Sequence, residues 1–429
     1  MGDVKVIVSG GGWGGCAAAV AARKAGASVV LLERADMLLG TGLVGGIFRN
    51  NGRDTAALEM EALGCADLFF VMDECARHKN IAFPGHEHSS LYDVYKIEPA
   101  VKECLSKMGV EIKTKTQAVK VETRDGHILS VTSRNGEVFR GDAFVDASGT
   151  SATPGNCVKY GNGCAMCILR CHSFFPRVSL TALAGVEEWN GRKKDGSIGA
   201  MSGSCKLFKE SLSPEIVKEL DKKGVCLVPI PQELQHSEKL GMKACQQYAL
   251  KAFAENIVLL DTGPAKLMTP YYPLDELRKI PGFEKARFED PLAGGNGNSM
   301  RFFQFANCSH ALQAQGPVDN LFCAGERAGA MVGHTEAVVT GSLAGHNAVL
   351  KACGKPLYVY PNELAVGDFV NHTTDDMKKE ECRGTKYTFS GSVYFERMKQ
   401  LGLYTSDLQE IKARAAKLGA AGILSQKVC

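Results

Sequence analysis

Val4-Lys5-Val6-Ile7-Val8-Ser9-Gly10-Gly11-Gly12-Trp13-Gly14-Gly15-Cys16, continuing to Ser28-Val29-Val30-Leu31-Leu32-Glu33-Arg34, is the stretch whose reading decides the fold. Val4 to Val8 is a short apolar strand. An alanine-rich helix follows from Cys16 to Lys24 and stops at Gly26, and Ser28 to Leu32 is a second strand ending in Glu33. Gly10, Gly12 and Gly15 satisfy G-x-G-x-x-G, with Gly14 between the last two. Such a pattern is weak alone. Between a strand and a helix, with an acid about twenty residues on, it specifies a dinucleotide-binding turn. Gly10 permits the tight turn, Gly12 lets a pyrophosphate approach the backbone, and Gly15 lets the helix pack on the strand. The free N–H groups of the helix N-terminus then face the anion. Glu33 is placed to accept hydrogen bonds from a ribose diol, with Arg34 beside it.

The chain has 429 residues, 45% of them hydrophobic and 23% charged, which suits a globular protein of roughly two or three domains. A net charge of +3 is too mild to demand a nucleic-acid partner. No apolar run reaches the roughly 18 residues of a membrane span. The first residues are already core strand, so a cytoplasmic location is expected. Sixteen cysteines are many. With no export signal they read as small core residues, as at Cys16, Cys104, Cys323 and Cys353.

Beyond Glu33, glycines at 40, 42, 45 and 46 imply backbone running close to something flat or charged, which makes Thr41 and Gly42 candidate cofactor contacts. Thr55 to Lys79 reads as one long amphipathic helix, and Tyr92 to Met108 as another, capped by Gly109. Four short strands follow: Val110 to Thr114, Ala118 to Thr123, Ile128 to Ser133 and Glu137 to Arg140. Asp125-Gly126 and Asn135-Gly136 supply their turns, giving a small antiparallel sheet. Ala143 to Asp146 is a final buried strand running into Ala147-Ser148-Gly149. Residues 151–310 differ in character and read as an inserted α+β substrate domain, with helices from Ser213-Pro214-Glu215 to Lys223 and from Glu238 to Asn256. Nucleotide-domain character returns at Asn320 to Glu326, then a glycine-rich turn from Arg327 to Gly333, then a small-residue helix from Thr335 to Cys353. The remainder is mainly helical, with Ser406-Asp407-Leu408-Gln409 as a capping box. The expected architecture is α/β. A Rossmann-like domain (1–150 and 311–356) carries a parallel sheet and a small antiparallel one, and a helical segment (357–429) follows.

The N-terminal fingerprint with Glu33, Val145-Asp146-Ala147-Ser148-Gly149, and Leu321 to Gly333 occur in that order. Together they resemble the FAD-dependent oxidoreductases of the glutathione-reductase type. Glu59-Met60-Glu61-Ala62-Leu63-Gly64, Thr340 to Ala348 and Gly367-Asp368-Phe369 are similar to relatives of glucose-inhibited division protein A, among them the folate- and FAD-dependent tRNA uracil methyltransferase. The resemblance implies FAD held by two distant segments. Its contacts would be Gly10, Gly12, Gly14, Gly15, Glu33, Arg34, Thr41, Gly42, the backbone near Val119, Ala147, Gly149, Gly325, Glu326, Gly333 and Thr335. The acid matching Glu326 would hold the ribityl or pyrophosphate region, and the helix near Thr335 would face the flavin pyrimidine. Where the tRNA enzymes carry cysteines, near Gly263-Pro264-Ala265-Lys266 and around Gly40-Thr41-Gly42, this chain has none.

Cys157, Cys164, Cys167 and Cys171 fall within fifteen residues. Three readings stand. A redox dithiol would pass electrons to flavin, with Arg170, His172 and Arg177 as stabilising cations. A zinc or iron–sulfur site would need about four thiolates, but the spacing matches no standard run, so no metal is assigned. The third is a set of free thiols. Cys164, Cys167, Cys171, Arg170 and His334 are the candidate catalytic residues. His334, before the late helix, is an acid/base or hydrogen-bonding candidate, while His310 reads as structural. Arg170, Arg177 and Arg301 are candidates for a carboxylate. The function expected is hydride or electron-pair exchange between FAD and a small molecule, with NAD(P)H or a protein as possible electron donor. The alternative is a folate- and FAD-dependent RNA-modifying enzyme.

Overall fold

The computed structural model describes residues 4–149, 177–192, 200–201, 205–242, 246–269, 272–289, 300–301 and 303–428. Its organising element is a five-stranded parallel sheet in the order Leu321–Cys323, Ala143–Asp146, β1 (Lys5–Ser9), β2 (Ser28–Leu32), Glu111–Lys113. Val6, Ile7, Val8, Phe144, Val145 and Phe322 are fully buried, the near-continuous apolar run that a parallel sheet covered on both faces requires. The strand order reverses direction at β1, and in sheets of this kind the crevice beyond the strand ends at that point receives the ligand.

Helix α1 (Trp13–Lys24) leaves β1 through the glycine turn and is buried from Trp13 to Ala22. It packs on the late helix His334–Ala352. The approach is set by two glycines: a Cβ at Gly341 would lie 2.2 Å from the Gly14 carbonyl oxygen, and one at Gly345 2.1 Å from that of Ala18. The N-terminal and late segments of the chain are thus held backbone to backbone.

The strands Ala118–Arg124, His127–Ser133 and Val138–Arg140 form an antiparallel meander. Asp125, Gly126 and Gly136 take positive φ at its turns, as the Asp-Gly and Asn-Gly pairs require. The segment expected at Val110–Thr114 does not join this meander. Glu111–Lys113 pairs with β2 and completes the parallel sheet.

The middle of the chain contributes a four-stranded antiparallel sheet, ordered Cys205–Leu207, Ala265–Leu267, Asn256–Asp261, Val225–Pro229. Ile257 and Leu259 enter a core with Leu207, Ile216, Leu220 and Phe283, while Val258 and Leu260 meet Phe83, Leu91 and Phe253. That alternation is the period-two signature of a strand buried on both sides. Phe83 and Leu91 belong to a hairpin, Ala76–Phe83 with His86–Tyr92, so the N-terminal region reaches into the inserted one.

Several sequence-based expectations are corrected. The long helix at Thr55–Lys79 is two, Gly52–Ala62 and Asp67–Glu74, broken where Gly64 takes φ +86°, and its last residues are strand. The helix expected from Tyr92 begins only at Ile97, because the chain through Tyr92 completes the hairpin. Glu238–Asn256 is not one helix. It holds 3-10 turns at Ser237–Met242 and Gln246–Tyr248 and a short helix Ala252–Glu255, and Asn256 starts a strand. The last helix is capped by Asp407, which accepts from the Gln409 and Glu410 N–H groups, so the cap lies one residue later than the box suggested. Cys353 is disulfide-bonded rather than a free core thiol. Pro214–Lys223 forms as expected, with Ser213 at its N-cap and Gly224 left-handed at its end.

Candidate nucleotide and reaction site

At the C-terminal end of β1, Gly10 takes φ +107° and its N–H donates to the Leu32 carbonyl. A Cβ on Gly15 would lie 1.8 Å from the Gly10 oxygen, so only glycine lets α1 start this close to the strand. Gly12 is the N-cap of α1. Among the described residues no side chain caps the helix there, and nothing lies within 4 Å of where its Cβ would be. Gly149, at φ +64° beyond the neighbouring strand, likewise meets nothing within 4 Å among the described residues. Gly14 approaches the Gly325 N–H, which itself donates to Thr340 Oγ1 at 2.9 Å. The two halves therefore meet around an uncapped helix N-terminus, a ready anion site.

Glu33 is nearly buried, and its two oxygens accept from the Gly11 N–H at 2.7 Å and the Ala35 N–H at 2.8 Å. Each carboxylate oxygen keeps a further lone pair for a diol. The chain at Lys113 to Thr116 runs alongside, with Thr116 N–H on the Glu33 carbonyl, and leads directly to Val119. Burial lowers the pKa of the neighbouring Arg34, partly offset by Glu33.

The glycine loop lies further along the same rim. Gly42–Gly45 forms one helical turn. Gly42 packs on the Trp13 indole, and a Cβ on Gly45 would lie 1.6 Å from His334 Cε1. Tyr92 ties these together: its hydroxyl donates to the Gly42 carbonyl at 2.6 Å and lies 3.1 Å from His334 Nδ1. Trp13, Tyr92 and His334 form an aromatic cluster with centroids 5.8–6.2 Å apart. Lys266, 3% exposed, reaches across from the inserted sheet and donates to the Val44 carbonyl at 2.7 Å. The Thr335 hydroxyl is used internally, donating to the Phe48 carbonyl at 2.6 Å, which leaves its backbone for any ligand. The start of the late helix is fixed by Glu336, fully buried, which accepts from Arg53 Nε, the Thr388 hydroxyl and the Phe389 N–H.

A second polar knot closes the other side. Arg327 is fully buried. It pairs with Asp146 at 3.5 Å and with Glu188, and donates to Ser179 Oγ and Thr181 Oγ1 at 2.7 and 2.6 Å. Burial pushes the Asp146 carboxyl up, but Arg327 and the Ser148 hydroxyl and N–H outweigh it and hold it below the usual range.

Of the sequence-derived candidates, the structure brings together Gly10, Gly12, Gly14, Gly15, Glu33, Gly325 and, on the same rim, Gly42 and His334. Thr41 is exposed at the loop's edge, and Glu326 lies in the single 3-10 turn Gly325–Arg327. Gly333, at φ +144°, is packed on Arg53 and Glu336, which gives it a structural reason for being glycine. His310 pairs with Asp375 at 2.8 Å, half-exposed. Cys157, Cys164, Cys167, Cys171, Arg170 and His172 lie outside the described residues. Sequence reasoning missed Trp13, Tyr92, Lys266 and the Arg327 knot. Arg327 stands with Glu326 in a run, Ala324 to Val332, that is otherwise small or apolar, and that contrast was the one signal for it.

Among the described residues no cluster of His, Cys, Asp and Glu side chains is suited to a metal, and no helix is long and apolar enough to cross a membrane. The uncapped helix, the open glycines and Glu33 with spare acceptor capacity fit a dinucleotide.

Comparison with known proteins agrees. Residues 5–152 match the family described as FAD dependent oxidoreductase, and residues 267–356 match glucose inhibited division protein A. Together these matches indicate FAD as the cofactor. Aquifex aeolicus GidA in one crystal form superposes with a TM-score of 0.67 at 16% identity, covering 99% of this chain and 74% of that one. A second crystal form gives 0.64 at 15%, covering 99% and 76%. At such identities the likeness is one of fold. No curated protein matches the sequence.

Proposed function

We propose that this GidA-like, FAD-binding chain is an oxidoreductase that exchanges a hydride or an electron pair between flavin and a small-molecule substrate. One observation carries the reading. The glycine turn, Glu33, the Gly42–Gly45 loop and the start of the late helix converge on one rim, although Gly10 and His334 stand 324 residues apart in sequence. FAD supplies the two-electron chemistry when bound. The chain's own residues would bind and orient it: Glu33 would take the ribose, the α1 N-terminus the pyrophosphate, and the Gly42–Gly45 loop would help hold the ring. His334 holds or releases a proton at its imidazole, with its Nδ1 fixed by Tyr92. Lys266 is a positioning residue that ties the loop to the inserted sheet. The substrate would enter between that sheet and the loop.

Anaerobic titration of the flavoprotein tests this. Small-molecule donors should bleach the flavin band without added RNA, and a small-molecule oxidant should restore it. Flavin that responds only when RNA and folate are supplied would support the second reading, an RNA-modifying enzyme. That reading is favoured by the GidA match at 267–356, and opposed by Lys266 and Leu267 standing where a cysteine was sought.

A further inference from the structure

Arg177 is a partly buried cation whose guanidinium uses only part of its hydrogen-bonding capacity. Its Nη2 donates to Gln304 Oε1, while Nε and Nη1 are buried with no hydrogen-bond partner among the described residues. An unsatisfied buried donor is unfavourable, and more so when it carries charge. The nearby carboxylates, Asp146 and Glu188, are already engaged by Arg327, which is itself a like charge beside Arg177. Burial first, then Arg327, and also Arg34, depress the Arg177 guanidinium to about 10. The surroundings therefore favour an anion at this point.

Its place in the fold identifies the anion. Asp146 is paired with Ser9, the residue before Gly10, so Arg177 stands at the end of β1 and its neighbour strand. Arg34 approaches from the end of β2. Gly12 and Gly149 leave free space along the same rim. His334 and the glycine loop, where the reacting ring would lie, belong to the other end of the site.

We propose that Arg177 binds the pyrophosphate of the dinucleotide, pairing its free Nε and Nη1 donors with phosphate oxygens opposite the α1 N-terminus. The assignment rests on the FAD reading and adds to it a side chain from the inserted region. A guanidinium with buried, unmet donors makes two opposite demands: removing it relieves the ligand-free protein and weakens the complex.

The test is titration of full-length, flavin-stripped protein with ADP and with FAD, for wild type, Arg177→Met, Arg177→Gln and Arg177→Lys. The Met and Gln variants should weaken both ADP and FAD at least tenfold, and Lys should recover part of the loss. The ligand-free Met variant should melt no lower than wild type. If either folded neutral variant binds ADP within threefold of wild type, the proposal is overturned. Weakened FAD with unchanged ADP would likewise overturn it, placing Arg177 on another group such as a substrate carboxylate. Wild-type protein that binds neither ADP nor FAD would instead remove the FAD reading on which the proposal stands.

Discussion

Glu33 shows how much one side chain settles in this protein. Its carboxylate joins the glycine turn to the end of β2 through the Gly11 and Ala35 N–H groups, and charge-assisted bonds of that kind contribute about 1.5–3 kcal/mol each. Glu33→Ala should raise the FAD dissociation constant at least tenfold in a fluorescence titration and lower the melting temperature of the ligand-free protein as well. Glu33 was legible in the sequence because an acid closing the second strand has a known reason to be there. Arg327 was not, because its partners Asp146 and Glu188 stand 181 and 139 residues away in sequence and only folding reveals them.

His86 makes a pH prediction at the same scale. Asn50 Nδ2 donates to its Nδ1 at 2.9 Å, and its Nε2 faces the Gln247 carbonyl at 3.2 Å, a pattern that suits the neutral ring. Burial, with Arg53 nearby, depresses it to about 3. The unfolded chain then binds the proton that the native chain refuses. The stability this residue contributes is present above about pH 6.5 and is lost as pH falls towards 3. Urea denaturation of wild type should show stability dropping over that window by on the order of a few kcal/mol. His86→Gln should flatten the drop. An equally steep drop in the variant would show that other groups account for it.

At the scale of elements, two contacts between distant segments carry the architecture. The late helix meets α1 through Gly341 and Gly345, where a Cβ would fall 2.1–2.2 Å from backbone oxygens. Gly345→Val should destabilise the protein by about 3 kcal/mol or more, because overpacking against backbone cannot be relieved by a rotamer change. The helix Gly52–Ala62 caps another helix: Glu59, fully buried, accepts from the Ala365 and Val366 N–H groups at 2.8 Å. Burial pushes its carboxyl up to about 7 against the pull of those bonds. Glu59→Ala should cost about 1–3 kcal/mol in chemical denaturation by orphaning both donors, and Glu59→Gln should cost less. Elements with local punctuation were readable from sequence, as at Ser213-Pro214 and at the Asp125-Gly126 turn. The stretches at 55–79 and 238–256 were not. Their apolar spacing satisfied a helix, while Gly64 and the pairing of strands Ala76–Phe83 and Asn256–Asp261 decided otherwise.

For the whole molecule, the central consequence is a site built from both ends of the chain. The sequence exposed the nucleotide end because phosphate and ribose recognition is concentrated in a contiguous turn and one acid. The end proposed for the ring is spread over the Gly42–Gly45 loop, Tyr92, Lys266 and His334, whose proximity depends on tertiary packing. Of those four, only the loop and His334 could be singled out beforehand.

The most direct measurement is the flavin content of the purified full-length protein, read as an absorption spectrum before and after acid release. The account predicts a flavin band near 450 nm (roughly, a property of the cofactor), close to one flavin per chain, released as FAD rather than FMN. A protein that carries no flavin, and shows no binding when FAD is added back, would contradict it.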